Sequence, residues 1–104
     1  MNAEIKARWV EALRSGKYQQ GIGYLRSKND RFCCLGVLCD TYLPSKWELI
    51  ADYFVNTVTS GAFLPSDLRN LADLSHEEEM VLCSMNDRGG KSFADIADYI
   101  EANL

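Results

Sequence analysis

Eight consecutive residues, Phe32 to Cys39 (FCCLGVLC), carry no charge and no side chain more polar than a thiol. Such a run must be buried, and it is far too short to span a bilayer. The rest of the chain therefore has to build a core around it. Leu35, Leu38, Cys39 and Tyr42 fall on one helical stripe. Residues 34–42 are expected to form a buried helix, ended by Pro44. A third strand is the competing reading, because short apolar runs fit both periods.

At 104 residues the chain has room for one domain, expected to span residues 1–104. Its 47% apolar content is enough for a core, and its 25% charged content is that of an ordinary folded protein. A domain this small buries a modest share of its surface, and 11% aromatic content is much for it to hide. A homodimer or higher closed oligomer is expected on those grounds.

Residues 3–15 read as an amphipathic helix, with Ile5, Trp9, Ala12 and Leu13 inward, ended by Gly16. Gly21 and Gly23 break any helix in residues 17–33. Tyr24 to Arg26 and Arg31 to Cys33 flank the polar turn Ser27 to Asp30, which suggests a short hairpin. In the aromatic and β-branched stretch 47–64, Tyr53 to Thr59 is the best strand candidate, followed by a turn at Ser60 and Gly61. Pro65 suits the first turn of a helix reaching about Ala72. Ser75 with Glu78 is a capping-box pattern for a helix to about Met85. Ser92 with Asp95 opens a last helix, with Phe93, Ile96, Ala97, Ile100 and Leu104 on its apolar stripe and Asp95, Asp98 and Glu101 opposite. The expected fold is α+β: four to five short helices on a small antiparallel sheet.

The net charge of −4 argues against generic nucleic-acid binding. The charge is uneven, however. Residues 1–33 hold seven basic and three acidic side chains, and residues 34–104 hold four and twelve. Either the two parts attract each other across one core, or the first supplies a cationic pocket for an anionic ligand. The first ten residues mix Glu4, Lys6 and Arg8 with Ile5 and Trp9, which is not a signal-peptide pattern, and a cytoplasmic, membrane-free location is expected.

Cys33, Cys34, Cys39 and Cys83 do not have the paired spacing of structural zinc sites, and His76 is the only histidine. Buried free thiols are the expectation, with no metal and no cofactor. His76 opens HEEE, but a zincin helix needs a second histidine where Met80 stands. The loop NDRGGKSF (Asn86 to Phe93) resembles the tail of a phosphate-binding P-loop. That motif needs a glycine where Met85 stands, and a strand rather than a helix before it. The loop reads either as a glycine-terminated helix followed by a capped one, or as a ligand contact. No catalytic residue is expected.

The segment RSGKYQQGIGYLR (Arg14 to Arg26) gathers basic, aromatic and amide side chains with three glycines. That composition suits a nucleotide pocket, although an exposed loop and edge strand would look the same. Together with FCCLGVLCD, FLPSDLRNLADL and MNDRGGKSFADIADYIEANL, the segment resembles a poorly characterised family of small phage-encoded and bacterial proteins. The likeness spans most of the chain except Pro44 to Thr59. It carries no reaction, but it implies a context. Small phage accessory proteins often act against host defences, and some are oligomeric sponges that sequester nucleotide immune signals in the host cytosol without cleaving them.

On that expectation the chain is a non-enzymatic anti-defence sponge for a cyclic or ADP-ribose-type nucleotide. Lys17, Arg26 and Lys91 would hold phosphate, Tyr18 and Tyr24 would stack on a base, Gln20 and Asn86 would read edges, and Asp87 would accept from ribose hydroxyls. The alternative is a protein-binding inhibitor or regulator of a host enzyme, using the acidic last helix or the segment with Trp47, Tyr53 and Phe54.

Overall fold

The computed structural model describes residues 1–44, 47–50, 53–56 and 63–104, with only the backbone course of 48–50 and 53–56. Among these residues it is an α+β fold of five helices on a small sheet.

Helix α1 (Ala3–Arg14) begins where Asn2 Oδ1 accepts from the Ile5 N–H at 3.0 Å. It buries Ile5, Trp9, Val10 and Leu13. Gly16 then turns the chain at φ 76, a left-handed conformation that costs glycine little. Strands β1 (Gln19–Gln20), β2 (Arg26–Ser27) and β3 (Arg31–Phe32) follow. The expected hairpin is β2–β3, with Arg26 opposite Phe32. Asp30 takes φ 58 at its turn and donates its N–H to the Ser27 carbonyl at 3.0 Å.

The assigned strands are shorter than expected, although the Cys33 N–H still donates to the Leu25 carbonyl at 3.3 Å where the chain enters helix α2 (Cys34–Tyr42). Cys33 is the N-cap of α2, its Sγ accepting from the Gly36 N–H at 3.4 Å. The Leu25 carbonyl faces α2 so closely that a Cβ on Gly36 would lie 1.8 Å from it. The apolar run is therefore a helix, buried from Cys34 through Cys39.

Strands β4 (Trp47–Ile50) and β5 (Tyr53–Asn56) form a second hairpin. Only β5 is anticipated by composition; residues 57–59 of that expected strand, and the expected turn at Ser60 and Gly61, lie outside the described residues. The sheet order is β1-β3-β2-β5-β4. It is antiparallel except at one edge, where β1 runs parallel to β3 with Gln19 opposite Arg31. A two-residue β1 cannot be read from alternation, and its direction follows from the chain crossing from α1 to Gly21 before β2 begins.

Helix α3 (Ser66–Leu71) starts one residue after Pro65, which is the N-cap with extended ψ 137. Helix α4 (His76–Asp87) opens on the expected capping box: Ser75 Oγ accepts from the Glu78 N–H, and Glu78 Oε1 from the Ser75 N–H. Helix α5 (Phe93–Asn103) is capped by Ser92 and buries Phe93, Ile96, Ala97 and Ile100. Helix α1 packs on α2 and α5, and α2 packs on α4. Trp9 ties the centre together, its indole N–H donating to the Cys34 carbonyl at 2.9 Å. No helix among the described residues is long and apolar enough to cross a membrane.

Candidate ligand groove

Arg8, Glu11, Ala12 and Ser15 follow one another along one side of α1, at the spacing of neighbours on a helix surface. They line a groove of about 480 Å³ with Lys17, Tyr18, Asp40 and Thr41. The turn at Gly16 brings Lys17 and Tyr18 across its end, and the last turn of α2 supplies Asp40 and Thr41. A carboxylate near a helix C-terminus opposes the helix dipole and needs compensation. Asp40 has it: the Tyr18 hydroxyl donates to one oxygen at 2.7 Å and the Trp47 indole N–H to the other at 2.9 Å. Partial burial, then the hydrogen bond to Asp40, raise the Tyr18 hydroxyl above its usual pKa.

Behind Tyr18 lies an aromatic stack. Its ring meets Phe32 edge-on at 5.0 Å between centroids, and Phe32 meets Trp47 the same way at 6.3 Å. The Arg26 guanidinium lies 5.3 Å from the Phe32 ring and 5.6 Å from the Trp47 ring. It also pairs with Asp30 at 2.6 Å. Arg26 thus reinforces the sheet side of the groove.

The other expected residues gather at a second place. Asn86, 3% exposed, donates to the Gly21 carbonyl at 2.8 Å and to Asp87, and its own oxygen accepts from the Cys34 N–H and from Gln20. Gln20 also donates to the Lys91 carbonyl at 2.8 Å. This is a polar clamp joining β1, α2 and α4. The loop after α4 is partly committed too: the Gly89 N–H donates to the Ser84 carbonyl and the Lys91 N–H to the Met85 carbonyl. Those bonds close the helix end around Gly90, at φ 63.

The structure therefore brings Lys17 and Tyr18 to the groove and Arg26 behind it. It places Gln20, Asn86, Asp87 and Lys91 in the clamp, and Tyr24, 40% exposed, on the loop after Gly23. Sequence reading missed Arg8, Ser15, Asp40 and Thr41. The helical spacing of Arg8, Glu11 and Ser15 was available as a signal. The meeting of α1 with the end of α2 was not.

Cys33, Cys34 and Cys39 are buried and Cys83 half-buried, all four as free thiols. Burial pushes Cys33 up to about 12 and, with Asp87 beside it, Cys83 up to about 11. Thiols so disposed are poor nucleophiles at neutral pH. His76 is largely exposed and contacts the fully buried Glu79, which also holds Arg69 and the Leu64 N–H. No cluster of three or more metal-ligating side chains occurs among the described residues.

Fold and groove together define a small α+β domain whose conspicuous surface feature is a mixed-charge groove between two helices. The chain belongs to the family described as a domain of unknown function, DUF8296, whose model matches residues 1–81. The matched span includes the groove and stops within α4, so the Asn86 to Phe93 loop and α5 lie beyond it. No curated protein and no solved structure matches the chain.

Proposed function

We propose that this protein binds and sequesters a small anionic nucleotide, of cyclic or ADP-ribose type, without converting it, as a phage-type anti-defence protein would. The groove between α1 and α2 carries this reading. Arg8 and Lys17 offer cations for phosphate, Tyr18 an aromatic edge, and Ser15 and Thr41 hydroxyls within about 480 Å³. That volume falls in the range of small-molecule sites. The groove lining holds no histidine or thiol, and Asp40 spends one oxygen on each of two donors.

Differential scanning fluorimetry and calorimetry against cyclic dinucleotides and ADP-ribose derivatives test the reading. A ligand at a hundred times its dissociation constant stabilises the fold by about 2.7 kcal/mol. Mass spectrometry should then recover the bound nucleotide chemically unchanged. A panel that gives neither shift nor heat sinks the proposal and leaves a protein partner as the better reading.

A further inference from the structure

The loop between β1 and β2 presents an apolar knob. Ile22 is 65% exposed, and beside it Gly23 takes φ 86. The base of the knob is fixed: the Gly21 N–H donates to the Phe32 carbonyl at 2.8 Å, and the Gly21 carbonyl accepts from Asn86. An exposed aliphatic side chain on an anchored loop loses little conformational freedom when it docks. Cations flank it. Gly21 packs against the Arg31 side chain, and Gln20 holds the backbone of Lys91; Arg31 and Lys91 are both exposed.

The same chain carries a matching recess. Phe63, Met80, Cys83, Ser84, Asp87 and Arg88 line a groove of about 340 Å³ along α4. Its lining is mainly apolar, and Met80 is 45% exposed. Asp87 supplies a carboxylate to the recess, and the exposed Glu77 precedes Met80 by three residues in α4. Knob and recess adjoin, because the Asn86 that holds Gly21 neighbours Asp87 in α4.

We infer that these two features are the halves of a self-complementary interface between two copies of this chain. Ile22 of each copy enters the Phe63–Met80–Cys83 recess of the other, with Arg31 and Lys91 facing Glu77 and Asp87. Adjacent, complementary patches satisfy the requirement of a two-fold contact, in which each surface is used twice. The inference does not depend on what the α1–α2 groove binds, since the two share no residue.

Light scattering during size exclusion should give a mass twice 11.7 kDa. Ile22→Asp and Met80→Asp, both at exposed positions, should each keep the native circular dichroism while weakening the dimer roughly tenfold or more. The Ile22→Cys variant, oxidised with diamide at a pH raised enough to ionise part of the Cys83 thiol, should yield a covalent dimer. Peptide mapping should place its disulfide between the introduced thiol and Cys83 of the other copy, and Cys83→Ser should abolish that linkage. A monomer at every concentration overturns the inference, as does a dimer that survives both aspartate substitutions, or a linkage that never involves Cys83.

Discussion

The Asn86 side-chain amide donates to the Gly21 carbonyl at 2.8 Å, joining groups 65 residues apart in the chain. One buried side chain thereby fixes the loop after β1 to the end of α4, while its oxygen serves the first N–H of α2. Asn86→Ala removes both ends of the clamp and leaves a buried N–H and C=O without these partners. We expect a loss of about 2–4 kcal/mol, read as a lower urea midpoint with little change in slope. Asn86→Asp keeps the acceptor but loses the donor and sets a second charge beside Asp87, so it should not rescue stability.

Gly36 and Gly23 should respond differently to the same substitution. A Cβ at Gly36 would lie 1.8 Å from the Leu25 oxygen and 2.6 Å from its carbon, and neither is a side-chain atom that can swing away. Gly36→Ala should cost roughly 3 kcal/mol or more, since α2 would have to move off the sheet. Gly23 has open space but φ 86, so Gly23→Ala should cost only about 1–2 kcal/mol of backbone strain. Equal losses at the two positions would contradict the close approach of α2 to the Leu25 carbonyl.

Arg26→Ala distinguishes a ligand-holding arginine from a structural one. Its guanidinium lies over two aromatic rings and pairs with Asp30. Losing those contacts should cost about 1–2 kcal/mol, more than an exposed cation and less than a buried ion pair. Nucleotide binding in the α1–α2 groove should survive, because Arg26 does not line it.

Arg8→Ala and Lys17→Ala should behave in the opposite way. Both residues line the groove, and Lys17 is exposed. Each substitution should leave stability within about 0.5 kcal/mol of the parent. Each should weaken nucleotide binding about tenfold, the value of one charge-assisted hydrogen bond to phosphate. Isothermal titration with the nucleotide identified by fluorimetry provides the measurement.

Alkali should loosen the fold through its buried thiols. Burial favours the protonated thiols of Cys33 and Cys83, whose pKa values rise from 9.0 to about 12 and about 11. Above pH 9 the unfolded chain gives up those protons while the folded chain keeps them. The unfolded state then binds fewer protons, so stability falls as pH rises, and the contribution is complete only below pH 9. For the fully buried Cys33 each pH unit in that window costs about 1.4 kcal/mol. Urea midpoints between pH 8 and pH 11 should drop, and Cys33→Ala should flatten the slope.

The local elements were legible in the order of residues wherever a chemical signal repeated at a fixed spacing. The capping box at Ser75 and Glu78, the stripe from Phe93 to Ile100, and the burial of the run around Cys34 all follow from residue type and helical period, because those signals act within a few residues of chain. Which elements meet was set by packing. Gln19–Gln20 is a strand solely because Arg31–Phe32 lies alongside it. Asn86 is a core clamp rather than an open ligand contact because Gly21, Gln20 and Cys34 converge on it. Asp40 joins Tyr18 and Trp47 because the segment after α1, the end of α2 and the start of β4 meet there. Those contacts depend on packing between elements distant in sequence, whose energy is set by shape and burial and leaves no periodic trace in the order of the residues.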